Sequence, residues 1–497
     1  MLQNMPLDSQ TPPVWNTLIM ECMKAKRYKL ACRLFTDMKR RGLKPTVRTY
    51  DTLLYGLSQI KDWENHMKLL ENAHSLYGYL IKHYELVKKL DSKSSELDVN
   101  PLASYINILA DTKEYTKIFD VYYALDKDGP LVPNNLIYTA ILRALATRKA
   151  APDQSAESVA AQNASEARLL WTQMMARPGA ASDFPADSHT VAAALRCLAY
   201  GRLADHRLGM DIAQNVLGLS KPEGTPLKPK VPLHPQSLDA ILALCNNMGV
   251  YRTCIHFARQ VMDKPRKFHQ KSFVDRGHIN HVLKAYASLA VSGDTTVSPA
   301  AFETLQWMLD EDIKSGDEKT SKIRPNIRTF HLVLTACQHC KDWLRATRVF
   351  EIMTGYHAED FLKSSKSPRR DRRSPGHSHF PDATTMASMA RTALATGDTA
   401  NIRQCLRIVD HLQFSRILAS DGLRGPEDPS NTSMALLQKH AVHGTELVTA
   451  VLDMLQVTTK ADDGMPEAAG SQRWRHLGSE ARELLQSPVA TRLRSTY

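Results

Sequence analysis

Apolar residues recur along this chain at helical spacing, in pairs of short runs. In the stretch from Pro12 to Thr46, Trp15, Leu18, Ile19, Cys22 and Met23 fall at i, i+3, i+4, i+7 and i+8, one face of a helix. After Ala25, Lys26 and Arg27, a second face is marked by Leu30, Ala31, Leu34, Phe35 and Met38. Gly42 suits the left-handed residue that closes a helix, and Pro45 prevents its continuation. The unit predicted over these 35 residues is helix, tight turn, helix, loop.

The pattern then restarts. Val47-Arg48-Thr49-Tyr50-Asp51-Thr52-Leu53-Leu54 has the same shape as Ile327-Arg328-Thr329-Phe330-His331-Leu332-Val333-Leu334, which puts Tyr50 on Phe330 and Trp15 in the same place. The second helices align as well, Ala31 to Met38 on Ala346 to Met353. Weaker copies open at about Val99, Asn135, Asp187, Ser237, His278 and Ala383, for roughly nine units in all. Between them lie an Ala-rich polar insertion at 150–163, a Pro- and Lys-rich one at 220–235, and a basic stretch at 354–380 read as a flexible loop. The run 76–89 reads as an extended or extra helix, and beyond about residue 420 helices are expected without an assignable repeat.

A single hairpin cannot bury both apolar faces, so stacked neighbours must share one core. The predicted fold is all-α, a right-handed α-solenoid of about nine degenerate helix-turn-helix repeats. Its expected division is a short lead (1–11), N-terminal repeats (12–134), central repeats (135–353), the loop, a last repeat (381–420) and a helical tail (421–497).

Charge then bears on the partner. Lys and Arg outnumber Asp and Glu by 64 to 52, a net +12, which favours a polyanion such as nucleic acid. No apolar run approaches the length that spans a bilayer. The eight cysteines are sparse and sit mostly within apolar helical patterns, as packed thiols do. Residues 1–10 carry no basic residue, unlike a secretory signal or an Arg-rich presequence, so a targeting segment upstream is one expectation.

The Pro12–Thr46 unit, with its Trp-Asn-Thr-Leu-Ile opening, Leu-Phe-Thr-Asp-Met middle and Gly-Leu-Lys-Pro-Thr close, resembles a pentatricopeptide repeat (PPR). Its irregular spacing and long insertions resemble the fungal mitochondrial members. The resemblance implies single-stranded RNA as partner, a mitochondrial mRNA or rRNA, and a mitochondrial role in transcript stabilisation, processing, splicing or translation activation. It also implies that each repeat offers a base two side chains, one after the first-helix aromatic and one after the closing proline. Those places give Asn16 with Thr46, Asn280 with Asn326, Thr139 with Ala186 and His331 with Asp382, while Asp51 and Asp239 lack a clear second member. Arg48 and Arg328, three residues before Asp51 and His331, are candidate phosphate or stacking contacts. Each of these can also be read as a solvated face residue. The clusters Lys39, Arg40, Arg41, Lys44 and Arg369, Arg370, Arg372, Arg373 would add nonspecific affinity.

Catalytic signatures are lacking: there is no G-x-x-x-x-G-K-[ST], no H-E-x-x-H and no G-x-S-x-G. Cys337 and Cys340 form a lone C-x-x-C without the second pair a zinc ribbon needs. The expectation is a non-enzymatic RNA binder without cofactor or metal. The alternative is a protein-binding α-solenoid scaffold associated with the mitochondrial ribosome or its assembly.

Overall fold

The computed structural model describes residues 11–177, 184–222, 224, 227–262, 273–314, 321–363, 367–373, 377–419, 434–462 and 474–486. Nearly all of the expected lead, 1–11, lies outside them. The chain divides into two compact units, Met1–Met248 and Gly249–Tyr497. Among the described residues the regular structure is helical, apart from one isolated bridge between Tyr356 and Arg370.

In the first unit the helices come as hairpins: α1 (Pro12–Lys24) with α2 (Tyr28–Arg40), α3 (Val47–Leu57) with α4 (Met67–Leu90), α5 (Asn100–Asp111) with α6 (Tyr115–Tyr123), α7 (Asn135–Thr147) with α8 (Ala156–Met175), and α9 (Ser188–Leu198) with α10 (Leu203–Asn215). The unit ends on α11 (Pro235–Asn247). The first helices α1, α3, α5, α7, α9 and α11 pack side by side in chain order, and the second helices form a layer behind them. The reason lies in the apolar faces. Trp15 and Ile19 of α1, Leu53, Leu54 and Leu57 of α3, Ile106, Ile108 and Leu109 of α5 and Ile141 and Leu142 of α7 are essentially inaccessible to water. Each such side chain contributes about 1.5–3 kcal/mol of transfer free energy that a lone hairpin would forfeit.

The second unit repeats the scheme. Helix α12 (Tyr251–Met262) packs on α13 (Arg276–Val291), which pairs with α14 (Ser298–Lys314). Next come α15 (Ile327–His339) with α16 (Trp343–Thr354) and α17 (Ala383–Thr396) with α18 (Thr399–Leu412), then the short α19 (Phe414–Ala419). Each of the nine expected repeats thus supplies a first helix. A further hairpin follows in the tail: α20 (Met434–Asp462) packs on α17 and α18, and α21 (Arg475–Gln486) folds back on α20. Leu447, Val448, Val451 and Met454 bury the α20 face. Several hairpin turns pass through a left-handed residue, a lysine at Lys26, Lys113 and Lys341 and a glycine at Gly293 and Gly397.

Of the two readings of the run 76–89, extended or extra helix, the structure has the first: it is part of the single 24-residue helix α4. Two expectations need correction. The insertion at 150–163 is only half an insertion, because residues from Ala156 onward are the first turns of α8. The basic stretch at 354–380, where it is described, is a tied-down segment. Its 3-10 turn Ala358–Phe361 buries Phe361 against Phe350. Buried Asp360 accepts a two-pronged bond from Arg369, at 2.9 and 3.1 Å, and the Arg369 amide at 3.0 Å. Arg370 donates to the Thr354 carbonyl and lies over the Tyr356 ring, and Arg373 donates to the carbonyls of Glu351 and Ile352 at the end of α16.

Gly56 of α3 packs tightly on α1: an added Cβ would lie 2.8 Å from the Met23 Cβ and 2.5 Å from its Cγ. Only glycine lets α1 and α3 come so near. Gly56→Ala should therefore destabilise the chain by about 1–3 kcal/mol, the usual cost of overpacking. Adding Met23→Ala should recover part of that loss, as read from urea midpoints. Additive losses in the double variant would mean that this contact does not set the helix spacing.

Candidate nucleic-acid interface

Every helix leaves its first backbone N–H groups without an intrahelical partner, and something must accept from them. Here the residue just before five of the first helices does so. Asn134, Asp187, Asp275, Asn326 and Asp382 take the third helical N–H on a side-chain oxygen at 2.8–3.2 Å. Thr46 stands at the same place before α3. Counting from these caps, the fifth residue onward is Asn16, Asp51, Thr139, Asp239, Asn280 or His331, always directly after the buried aromatic or aliphatic residue. Cap and fifth residue are thus the two sequence-predicted places, and the fold gives each a fixed position. Asp51, Thr139, Asp239, Asn280 and His331 are half-buried, and Asn16 is 7% exposed.

Three pairs of consecutive repeats are joined through the third-position threonine of the following helix. Between α1 and α3, the Thr49 hydroxyl donates to Asn16 Oδ1 at 2.7 Å and accepts from the Thr46 N–H at 3.1 Å. Between α13 and α15, the Thr329 hydroxyl lies 2.9 Å from both Asn280 Oδ1 and Asn326 Oδ1 and accepts from the Asn326 N–H at 3.2 Å. Between α7 and α9, the hydroxyls of Thr139 and Thr190 are 2.7 Å apart, and Thr190 donates to Asp187 Oδ1 at 2.7 Å. The linking threonines Thr49, Thr190 and Thr329 are fully buried. Sequence reasoning had quoted Thr49 and Thr329 within the repeat and passed over them; the signal was their recurrence one residue before Tyr50 and Phe330.

The α7–α9 pair also corrects an assignment. Ala186 is not the partner of Thr139. It is buried, and the cap, with its side chain on Thr190, is Asp187, one residue later. An alanine cannot cap a helix, whereas an aspartate is among the best residues for it. The remaining positions are more varied. Asp382 caps α17 and receives the Thr385 hydroxyl at 2.6 Å. Asp51 is pushed above the usual carboxylate range by burial and by nearby Asp98, with Arg48 acting in the opposite direction. Arg48 and Arg328 are exposed in the first turns of α3 and α15. The cluster on α2 is partly engaged, with Lys39 Nζ 3.9 Å from the Tyr79 ring centroid and Arg41 over Trp15.

One turn beyond the fifth residue lies a second row that sequence reading had missed. Arg143 on α7, Arg196 on α9 and Lys284 on α13 are exposed there, as is Tyr55 on α3 at 62%. Residues four apart share a helix face, so Arg143 stands beside Thr139 and Lys284 beside Asn280. Among the described residues no group of His, Cys, Asp and Glu could hold a metal ion, and no helix is long and apolar enough to cross a membrane. Cys337 of the C-x-x-C is buried, and burial pushes its thiol up.

Fold and interface together define a helical-hairpin repeat protein with a row of capped, polar helix starts. Residues 13–59 match the PPR repeat family. No curated protein sequence matches. Among solved structures the chain is similar to the pentatricopeptide repeat protein PPR10 from maize, at 14% identity and a TM-score of 0.34, covering 95% of this chain and 62% of that one. It is also similar to PPR10 in complex with an 18-nt psaJ RNA element, at 12% identity and a TM-score of 0.29, covering 95% and 79%. The chain therefore spans about 62% of the length of the first of these.

Burial raises the Asp187 carboxyl, but bonds from the Thr190 N–H and hydroxyl and the neighbouring His189 outweigh it and hold the group below its ordinary 3.8. Stability from this carboxylate is therefore fully present above 3.8 and is lost as pH falls through the lower folded value. Asp187→Ala should cost about 1 kcal/mol at pH 7. The gap between variant and wild type in urea midpoint should narrow below about pH 4. A gap independent of pH would show that the ionised form does not cap α9.

Proposed function

We propose that this chain binds single-stranded RNA along its first-helix row, one base to each pair formed by a fifth residue and the following cap. The observation that carries the reading is the recurrence of one hydrogen-bonded arrangement at Asn16–Thr46, Thr139–Asp187 and Asn280–Asn326. A repeated spacing of short polar groups fits a polymer with a repeated unit, and unpaired bases are read on their edges in this way. The pairs differ in polarity. Asp187 offers a carboxylate, suited to the adjacent N–H donors of guanine. Asn280 and Asn326 each turn the amide oxygen inward, which leaves amide N–H groups suited to the acceptors of a pyrimidine. The cations of the second row, with Arg48 and Arg328, are placed for the phosphates.

By its resemblance to fungal mitochondrial members, the setting is mitochondrial RNA metabolism: stabilisation, processing, splicing or translation activation, without chemistry of the chain's own. A scaffold on the mitochondrial ribosome or its assembly is the second reading. It is favoured by the exposed stripe of Tyr79, Leu86 and Leu90 on α4, an apolar surface suited to a protein partner.

The test is fluorescence anisotropy with a randomised single-stranded RNA pool over a salt series. Binding should weaken steeply with salt. Arg143→Gln with Arg196→Gln should flatten the slope of log K against log salt by roughly 1.4, the share of two phosphates on a single strand. Absence of RNA binding at low salt, or a slope untouched by the double variant, would refute the reading for this face.

A further inference from the structure

Resting on the RNA reading above, we propose that a basic groove at the turn end of the first two hairpins is a second RNA contact, one that grips the phosphates of nucleotides flanking the bases read along the row. The turn between α1 and α2 and the first turns of α2 and α4 border a groove of about 760 Å³. Its lining carries Lys26, Arg27, Lys29, Arg33 and Lys68 against the single carboxylate of Glu64. All five cations are exposed, and none is in an ion pair among the described residues. The lysines on either side behave differently: Lys24 is paired with Glu21 and Lys61 with Asp111, each at 2.8 Å. Like charges gathered in one concavity raise the local potential and draw an anionic partner.

The lining favours an unpaired RNA strand over an acidic peptide. The rings of Tyr28 and His66 stand in the same groove, edge to face with centroids 6.5 Å apart. Cations that track a backbone, with rings against which bases pack, are the means by which proteins hold single strands without regard to sequence. Neither α2 nor α4 has a side-chain cap at its start, so backbone N–H groups at this end add to the donors. The place fits as well. α1 runs from the contact face towards this groove, about 12 Å along its axis from Asn16 to Lys24. The groove is therefore separate from the Asn16–Thr46 pair and yet within reach of a strand that continues a few nucleotides past it. The row reads bases and the groove takes phosphates, so the groove adds affinity and salt dependence without sequence preference.

Fluorescence anisotropy of the full chain over a salt series tests this with three RNAs: a nine-nucleotide core selected from a random pool, one base for each expected repeat, and the same core extended by eight uridines on its 5′ or its 3′ side. Because α1 lies at one end of the row, only one of the two extensions should reach the groove. That RNA should bind wild type with a slope of log K against log salt steeper than the core's by roughly 2, the share of three phosphates on a single strand. The triple variant Lys29→Gln, Arg33→Gln, Lys68→Gln should abolish this increment and leave slope and affinity for the core unchanged. Circular dichroism melting checks the fold, which substitutions at these exposed positions should not disturb. Equal slopes for the core and both extended RNAs in wild type, or an increment that survives in the variant, overturns the proposal. So does a fluorescent polyglutamate peptide that binds wild type and not the variant while the extended RNA binds both alike, which would assign the groove to an acidic protein segment. Failure of wild type to bind the core at low salt refutes the RNA reading itself, and this inference with it.

Discussion

The structure turns on the uncapped N–H groups at the start of each first helix. They must be satisfied where two repeats meet and water is largely excluded. At α9 and α15 a short polar side chain before the helix satisfies them from one side, and at α3, α9 and α15 a buried threonine links the helix start to the helix before it. Local capping, worth about 1 kcal/mol per helix, thereby becomes a joint between neighbours. The apolar rows supply most of the cohesion, but they are indifferent to small sliding motions. The polar joint fixes the register, and in doing so it sets a row of hydrogen-bonding groups at repeat spacing. Fold and candidate site share the same atoms.

Much of this was legible in the sequence. Trp15, Tyr50 and Phe330 fix the start of their helices because a large buried residue recurs at the same distance from Asn16, Asp51 and His331. The slip at Ala186 came from counting along an irregular loop rather than asking which residue could cap. Thr49 and Thr329 were overlooked because a pattern of apolar and polar positions treats threonine as neutral; its role appears only when two helices from different repeats are brought to 2.7 and 2.9 Å. The Ala-rich tract that opens α8 read as an insertion, although alanine is the strongest helix former.

The arginines after α16 teach the same lesson about charge. In sequence, Arg369, Arg370, Arg372 and Arg373 form a run that looks solvated. In the structure three of them are spent on Asp360, on the Tyr356 ring and on carbonyls that end a helix, and so hold a long connection against the hairpin. Partners nine or more residues away, several of them backbone atoms, leave no compositional trace. Conversely, Arg143 and Arg196 are scattered in sequence and come to one register on the successive first helices α7 and α9, and Lys284 takes the same register on α13 of the second unit. The tail hairpin of α20 and α21 was hidden for a related reason. It has buried residues at helical spacing, but its sequence has none of the Gly-basic-Pro closing that marks the earlier units.

The central claim is that the first turns of the first helices form the contact face. Hydrogen exchange of the full chain, with and without a saturating single-stranded RNA selected from a random pool, tests it most directly. The account predicts added protection in the opening turns of α3, α9 and α15, with little change in α2, α8 and α16. Protection confined to the second helices, or spread evenly over both layers, would contradict it.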